Sequence, residues 1–382
     1  VRAAAIMRPM RAHRAVSASS RVAAIPLLRP SIGRAEERLV LQVLRSGQLT
    51  QGPMVEALER ELAARTRARE VVAVSSGTAA LHLALLVSGV GPGDEVVLPS
   101  FTFVATANVV RLLGATPVFV DIDPRTYNLD VSLLPKALSA RTRALLPVHQ
   151  VGLPFDRDAV RRFARNARVQ VVEDAACAIG ASWRGKPIGA EGLVCFSFHP
   201  RKVVTSGEGG AILLGDRRVA ERLRRLRSHG LAHRAVAGRP PRLECIEPGF
   251  NFRLSDVGAA LALGQVRRLD ALVEERRRLA MRYERGIEGI RGLVLPWTPP
   301  GAEPTYQTYL VRGTGDARLD RDELLSGLAG EGIGARIGVS AIHLQPAYRS
   351  PKASLPETER AARETLALPL YPGLSDRDHD RI

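Results

Sequence analysis

The stretch from Val71 to Leu214 alternates short apolar runs with helical segments, and this alternation constrains the fold more than any other feature. The apolar runs are seven, namely VVAVSS, DEVVLPS, TPVFVDID, ALLPVHQ, VQVVEDAA, GLVCFSFHP and GGAILLGD. Segments of helical spacing, such as GTAALHLALLVSGV, FTFVATANVVRLLG and DRDAVRRFARNA, separate several of them. Apolar strands that alternate with helices are typical of βαβ units. We therefore predict an α/β fold with a mostly parallel sheet.

The rest of the 382-residue chain has a different pattern, and its length favours two domains. Arginine-rich sequence begins at Asp216, and up to Arg242 we predict mainly a solvated helix face, of which one or two arginines could hold a diphosphate. A long helix or two follow, and beyond Gly292 a strand and a helix. We predict a leader over residues 1–24, disordered or from a start codon assigned too early, a large domain over 25–279 and a smaller α+β domain over 280–382.

Charge and cysteine content limit the class of protein. The net charge of +16 is compatible with nucleic acid, an anionic membrane or anionic small molecules as partners. Because the arginines are spread along the whole chain, it is equally compatible with a generally arginine-rich proteome and no specific partner. However, no nucleic-acid-binding motif stands out, and 4% aromatic residues are too few for base-stacking platforms. Polar residues interrupt the most apolar stretch, so no membrane span is expected. Three separated cysteines without a CxxC pair favour a reducing cytoplasm and give no indication of a structural zinc site.

Two motifs follow predicted strands, where parallel α/β sheets bind their ligands. SSGTAAL, beginning at Ser75, places small residues at a helix N-terminus, which either binds a phosphate or is only a helix cap. In VVEDAACAIG, Glu173 and Asp174 end an apolar strand. A carboxylate buried there needs a cationic partner unless it caps the next helix.

A third motif contains one of only four lysines in this arginine-rich chain. Lys202 lies in FSFHPRKVVTSGEGGAILL, five residues after Ser197. It could be an ordinary surface lysine on a turn. Lysine, unlike arginine, can also act as a neutral amine. A phosphate cradle, a buried carboxylate and an amine lysine together are what pyridoxal phosphate requires.

With these motifs in place, the sequence resembles the DegT/DnrJ/EryC1/StrS family of pyridoxal-phosphate-dependent sugar aminotransferases from about Ile25 to its last residue. The matching segments include SGQLTQGPMVEALE, SSGTAALHLALL, GPGDEVVLPSFTFVATANVV, VEDAACAIGA, FSFHPRKVVTSGEGGAILL and GFNFRLSDVGAALALGQ. The resemblance implies a fold-type-I architecture like that of aspartate aminotransferase, with a mostly parallel seven-stranded sheet. It also implies a homodimer with shared active sites.

The resemblance assigns a role in cofactor binding to each of the motifs. Lys202 corresponds to the Schiff-base lysine and Asp174 to the partner of the pyridine nitrogen. Gly77 and Thr78 would hold the phosphate by backbone and hydroxyl, and Ser197 would add another hydroxyl. Lys202 at this position, where some relatives carry histidine and dehydrate their substrate, argues for amine transfer.

Further residues are implied more distantly. Phe103 would stack on the cofactor ring, although a plain core role would look the same in sequence. Asn251 would reach the phosphate across the dimer interface, and Thr50 and His343 would line the sugar pocket. Cys177 stands where many relatives have glutamine or histidine against the ring's phenolic oxygen, and cysteine is a poorer hydrogen-bond partner.

The implied reaction moves an amino group from glutamate to a keto sugar carried on a nucleoside diphosphate, and Lys202 moves the protons. Two alternatives stay open at this point. The acceptor could be a non-nucleotide cyclitol or a related ketone, because the sugar pocket is built from loops. The unusual Cys177 also leaves room for a relative that binds the cofactor without catalysis.

Overall fold

The structure is a computed structural model that describes residues 24–236, 239–349 and 354–382. The predicted leader therefore lies, except for residue 24, outside the described residues. The helices are α1 (Arg34–Ser46), α2 (Pro53–Thr66), α3 (Gly77–Val87), α4 (Ala105–Leu112), α5 (Leu134–Ala137), α6 (Arg157–Ala167), α7 (Arg217–Leu226), α8 (Asp256–Arg267), α9 (Leu269–Ile287), α10 (Arg321–Gly330), α11 (Pro356–Glu364) and α12 (Asp376–Arg381). Short 3₁₀ turns span Val131–Leu133, Gln150–Gly152 and Ile342–Leu344.

The strands are β1 (Glu70–Val74), β2 (Glu95–Pro99), β3 (Thr116–Val120), β4 (Thr142–Leu145), β5 (Gln170–Asp174), β6 (Ser182–Trp183), β7 (Lys186–Pro187), β8 (Leu193–Ser197), β9 (Gly210–Leu214), β10 (Leu231–Val236), β11 (Arg239–Cys245), β12 (Leu293–Val294), β13 (Ala302–Glu303), β14 (Tyr309–Gly313), β15 (Arg336–Ile337) and β16 (Thr365–Leu368). Seven of them form the central sheet in the order β1-β9-β8-β5-β4-β2-β3, in which only β9 runs antiparallel to its neighbours. The predicted mostly parallel seven-stranded sheet is confirmed.

Helices cover both faces of the central sheet, which explains why its strands are continuous apolar runs. Along β1 the side chains alternate between two clusters. Val71 and Ala73 pack in the cluster that contains α2 and α8 residues, and Val72 and Val74 in the one that contains α3 and α4 residues. Strands β2, β3, β4, β5 and β8 pair in parallel, so their carboxyl ends meet at one edge of the sheet.

A four-stranded antiparallel sheet in the order β12-β14-β16-β15 follows in the C-terminal part of the chain. Leu310 and Ala367 of this sheet share a buried cluster with Phe101, which comes two residues after the end of β2. The C-terminal sheet therefore packs beside the carboxyl edge of the central sheet. The predicted domain boundary near residue 280 falls within α9 and stays a prediction.

One predicted helical stretch is wrong in its second half. Helix α7 ends at Leu226, and the arginine-rich sequence after it forms the antiparallel hairpin of β10 and β11. Gly230, which lies between α7 and β10, has φ of 72°, a left-handed conformation that does not continue a helix. Pro240 and Pro241 cannot extend a helix either. Among the described helices, none combines the length and the apolar character that a membrane crossing requires.

Candidate active site

The candidate site lies at the carboxyl edge of the central sheet. Asp174 is the last residue of β5, and Ser197 is the last residue of the adjacent strand β8. Helix α3 begins at Gly77, three residues after β1 ends. Three of the predicted motifs therefore converge on one edge, as ligand binding at the ends of parallel strands requires.

The N-terminus of α3 and the end of β8 are in direct contact. A Cβ added to Gly77 would lie 2.7 Å from the Cβ of Ser197, so only glycine allows this approach. Ser76 caps the helix by accepting a hydrogen bond from the amide of Ala79 at 3.0 Å. The side chain of Thr78 is exposed, and the Ser197 hydroxyl has no hydrogen-bond partner among the described residues. Free donors at a helix N-terminus form an anion cradle.

Asp174 is buried and held by two donors. Its side chain is 5% exposed. The hydroxyl of Thr106 donates to Oδ2 at 2.8 Å, and the amide of Ala176 donates to Oδ1 at 3.1 Å. These bonds fix the orientation of the carboxylate. Sequence reasoning missed Thr106, because no local pattern connects it with a residue 68 positions later.

Lys202 lies in the loop between β8 and β9. Its backbone amide bonds to the carbonyl of His199 at 2.8 Å, and its side chain is half-buried. The Nζ atom is 3.2 Å from Sγ of Cys177, which follows Asp174 by three residues. The structure thus brings the lysine to the turn that begins at the buried carboxylate, and not to an isolated surface position.

Phe103 is exposed at the same edge. It lies between β2 and α4, and its side chain is 72% exposed. A plain core role is excluded by this exposure. An aromatic face open to solvent at the carboxyl edge of the sheet has the form of a stacking platform for a ring.

Glu173, the neighbour of Asp174, points into a buried ionic cluster that sequence reasoning did not foresee in detail. Arg157 donates twice to it at 2.9 Å, Arg161 donates once at 2.9 Å, and Nε2 of His149 lies 3.0 Å away. Burial raises the pKa of Glu173, but the hydrogen bond from His149 and the charge of Arg157 outweigh it and hold that pKa at about 2. The sequence predicts a cationic partner for a buried carboxylate at this strand end. In the structure, Arg157 and Arg161 are the cations, and they pair with Glu173.

The cluster fixes the end of β5 from the side opposite the cradle. His149 also donates its backbone amide to the carbonyl of Asp174 at 2.9 Å, and its ring stacks on Phe155. Burial lowers the pKa of His149. The arginines of α6, spaced at i and i+4 in RDAVRR, were the signal in the sequence for a cation pair on one helix face.

Three predicted residues do not join this group of side chains. Thr50 is exposed and forms an isolated bridge with Ser255, and Asn251 is exposed with no side-chain hydrogen bond among the described residues. His343 is 1% exposed, with Nδ1 2.7 Å from the hydroxyl of Ser100 and Nε2 3.3 Å from Glu359. Its contacts within the chain connect the C-terminal segment to β2, and its role in a sugar pocket stays a prediction.

The residues present fit pyridoxal phosphate. The cradle at Gly77 and Ser197 offers unpartnered donors to a phosphate, and the exposed ring of Phe103 offers a face to a planar heterocycle. Asp174 offers a fixed, buried carboxylate. Lys202 supplies an amine whose described hydrogen-bond partner is a thiol, and no carboxylate is paired with it.

A sequence profile of the DegT/DnrJ/EryC1/StrS aminotransferase family matches residues 30–382. Among solved structures, DesV from S. venezuelae is 38% identical with a TM-score of 0.86, and the match covers 94% of this chain and 96% of that chain. The sugar aminotransferase CalS13 from Micromonospora echinospora is 30% identical with a TM-score of 0.85, with 93% and 97% covered. The PLP form of Spr1654 from Streptococcus pneumoniae is 30% identical with a TM-score of 0.86, with 94% and 96% covered.

Proposed function

The chain belongs to the DegT/DnrJ/EryC1/StrS aminotransferase family and is a pyridoxal-phosphate-dependent sugar aminotransferase of the type-I fold, and from this premise we propose its substrates and the roles of its residues. It transfers an amino group from glutamate to a keto sugar carried on a nucleoside diphosphate. The observation that carries the assignment of the catalytic residue is the position of Lys202 Nζ, 3.2 Å from the thiol of the Asp174–Cys177 turn.

The cofactor would be held by residues from four segments. The N-terminus of α3 at Gly77 and Thr78 would bind the phosphate together with the Ser197 hydroxyl at the end of β8. Phe103, between β2 and α4, would cover one face of the ring, and Asp174 at the end of β5 would accept a hydrogen bond from the ring nitrogen. Pyridoxal phosphate, when bound, supplies an aldehyde that links to amines and a ring that takes up the electron pair released at the α-carbon of the donor.

Lys202 performs the proton transfers. Its Nζ removes the proton from the α-carbon of glutamate, and later it returns a proton to the sugar carbon that receives the amino group. Glutamate gives up its amino group and its α-hydrogen and leaves as 2-oxoglutarate, whose new keto oxygen comes from water. The keto sugar gains the amino group and a hydrogen, and its carbonyl oxygen leaves as water, so the exchange balances. Asp174 stabilises the positive ring nitrogen through this sequence, and Thr106 keeps the carboxylate aligned. Burial of Asp174 strengthens its electrostatic effect, because water does not screen it.

The working unit is a homodimer with shared active sites. Asn251 and Thr50 are exposed on a single chain, although the resemblance assigns both to the site. Apolar side chains are exposed on the nearby helix α1 and the segment after it, with Leu41, Leu44 and Leu49 each about half exposed. A second copy that covers these side chains would bring its Asn251 to the phosphate cradle.

We infer the sugar nucleotide and the compartment from charge and cysteine content. The net charge of +16 favours an anionic substrate, and exposed Thr50 contacts the sugar in the dimer. The role of His343 at the sugar is indirect, because its ring nitrogens face Ser100 and Glu359. Three free cysteines favour a reducing cytoplasm as the compartment.

A substrate panel tests the proposal. The purified enzyme is incubated with glutamate and either nucleoside-diphosphate keto sugars or free cyclitol ketones, and products are identified by mass spectrometry. We expect an aminated nucleotide sugar together with 2-oxoglutarate in equal amounts. Amination of the free cyclitol ketones alone would overturn the sugar-nucleotide assignment and favour the alternative acceptor.

A further inference from the structure

The segment between β13 and β14 reaches the backbone of both turns whose side chains meet in the candidate site. Thr305 is fully buried, and its hydroxyl donates to the backbone carbonyl of Cys177 at 3.0 Å. The side-chain amide of Gln307 donates to the backbone carbonyl of Arg201, the residue before Lys202. Two side chains of one short segment therefore hold the Cys177 turn and the Lys202 loop together.

Each of these turns also has local hydrogen bonds of its own. The amide of Ala176 donates to Asp174, and the amide of Lys202 donates to the carbonyl of His199. Such local bonds fix the shape of each turn, but they do not set the distance between the two turns. The contact of Lys202 Nζ with Sγ of Cys177 at 3.2 Å spans that distance. A common support for both backbones fixes the place from which the amine acts.

The supporting segment is itself held on two sides. Arg276 of α9 is only 4% exposed, and its guanidinium donates to the carbonyls of Tyr306 and Gln307 at 3.2 and 3.3 Å. On the other side, the amide of Thr305 donates to the carbonyl of Gly152 at 3.1 Å. Because the segment is fixed from both sides, it can hold the two turns in place.

The backbone around this contact is closely packed and strained. A Cβ added to Gly152 would lie 2.2 Å from Oγ1 of Thr305 and 3.0 Å from the carbonyl oxygen of Cys177. Val151 and Tyr306 have φ of 50° and 46°, values that are unfavourable for a β-branched or a bulky residue. Strained backbone persists where the surrounding structure enforces it, and it clusters at functional sites. The approach of Thr305 to the Cys177 turn therefore points to a role beyond connecting two strands.

We propose that Thr305 and Gln307 are positioning residues for the amine of Lys202. They hold the backbones of the two turns that meet at Nζ and Sγ, and so they fix the position from which the amine moves a proton. This inference rests on the proposed function, which assigns the proton transfers to Lys202, and deepens it. It places part of the support of the amine in the segment that leads into the C-terminal sheet.

The test removes each hydrogen bond separately. Thr305→Val keeps the shape of the side chain but removes the hydroxyl, whereas Thr305→Ser keeps the hydroxyl. Gln307→Met removes the amide donor at nearly constant length. Thr314→Val is the matched control, because the Thr314 hydroxyl also donates to a backbone carbonyl, that of Gly292 at 3.4 Å, just after the end of β14. Each holoenzyme is mixed with glutamate, and the rate of the cofactor's absorbance change is measured against glutamate concentration.

We expect Thr305→Val and Gln307→Met each to lower the rate at saturating glutamate about 10-fold, because proton transfer is sensitive to displacements of an ångström or less. The half-saturating glutamate concentration should stay within about twofold of the wild type, since neither side chain is assigned to the donor. Thr305→Ser should restore the rate, and Thr314→Val should leave it unchanged. An unchanged saturating rate in Thr305→Val and Gln307→Met, with or without a raised half-saturating concentration, would overturn the proposal.

Thermal unfolding separates positioning from a folding defect. Gln307 is half-buried, so the Tm of Gln307→Met should lie within about 2 °C of the wild type. A slow rate at an unchanged Tm supports the proposal. A loss of rate that is accompanied by a large fall in Tm in both variants, and that Thr305→Ser does not reverse, would assign the segment a purely structural role and overturn it.

Lys202→Ala, measured in parallel, separates this inference from the proposed function. If Lys202→Ala does not respond to glutamate while Thr305→Val and Gln307→Met react like the wild type, the inference alone is wrong. If Lys202→Ala reacts like the wild type, the proposed role of Lys202 fails, and the inference fails with it. Because the assay needs only glutamate and the cofactor, its result does not depend on which acceptor takes the amino group.

Discussion

At the scale of single residues, the site depends on a buried acid and an amine near the same turn. Asp174 is oriented by Thr106 and by the amide of Ala176, while Lys202 reaches the thiol of Cys177. The acid is only 5% exposed and the amine is half-buried, so the first is suited to stabilising charge and the second has room to move. Each role can be tested by a substitution that keeps the volume of the side chain.

Asp174→Asn should slow amine transfer by about 100-fold or more, because a neutral amide cannot stabilise a positive ring nitrogen. The rate of cofactor conversion by glutamate in a single turnover measures this. Thr106→Val, which removes one donor to the carboxylate, should have a smaller effect. A rate for Asp174→Asn equal to that of the wild type would show that the carboxylate has no electrostatic role.

A residue of the site could be predicted from the sequence when the motif around it already indicated its role. Lys202 and Asp174 could be identified because each stands out in its own motif, as a rare amine and as a carboxylate at the end of an apolar strand. Thr106 could not, because its role depends on Asp174, a partner far along the chain. The burial of His343 was hidden for the same reason, since Ser100 lies 243 residues away.

At the scale of elements, the strands were predictable and one hairpin was not. Strands covered on both faces must be apolar throughout, so the seven runs of the central sheet were visible in the sequence. The hairpin of β10 and β11 is rich in arginine, and its sequence predicts a helix face, because exposed strands have no such apolar signature. Two contacts between elements hold the site together, and each gives a prediction.

The first contact is between α3 and β8. Gly77→Ala should displace the helix N-terminus, because the new methyl group would lie 2.7 Å from Cβ of Ser197. We expect a loss of about 1–3 kcal/mol in cofactor binding. Cofactor retained after gel filtration, measured by absorbance, reports it. Gly91→Ala is the control, since an added Cβ there meets nothing within 4 Å. Equal retention in both variants would show that the cradle tolerates the shift.

The second contact joins α6 to β5 through Glu173. Glu173→Gln leaves two arginines without their buried partner, so the free energy of unfolding at pH 7 should fall by about 3–5 kcal/mol. Denaturant unfolding measures this. Glu221→Gln, which removes the exposed pair with Arg217, should cost about 0.5 kcal/mol or less.

The pH dependence of the same variant is a separate prediction. Because folding lowers the pKa of Glu173 from 4.5 to about 2, its ionised form contributes stability above pH 4.5, and this is lost as the pH falls towards 2. The difference in unfolding free energy between wild type and Glu173→Gln should therefore shrink over that interval. A difference that stays constant from pH 7 to pH 3 would contradict the ionic role.

At the scale of the whole molecule, the proposed shared site requires two copies of the chain. On one chain the side chain of Asn251 is exposed and has no hydrogen-bond partner among the described residues, and helix α1 leaves Leu41 and Leu44 exposed beside the segment that carries Thr50. The sequence alone did not show these surfaces, because exposure of an apolar side chain depends on what covers it. If two chains share each site, two variants with different defects should complement each other in hybrid dimers. A site formed within one chain gives no such complementation.

Hybrid dimers test the sharing. Lys202→Ala and Asn251→Ala are each expected to retain little activity at low cofactor concentration. When the two are unfolded together and refolded as a mixture, hybrids should regain one native site, because one chain supplies Lys202 and the other Asn251. Amine transfer by the mixture should exceed that of either parent. No gain, with hybrids detected by native mass spectrometry, would place both residues in the same chain's site.

The most direct measurement concerns the amine itself. The holoenzyme is reduced with borohydride, which fixes the cofactor to the amine that holds it, and the labelled peptide is identified by mass spectrometry. The chain has four lysines, Lys136, Lys186, Lys202 and Lys352, so the label distinguishes among few sites. The account predicts that Lys202 carries the label and that Lys202→Ala retains none. A label on any of the other three in the wild-type enzyme would contradict it.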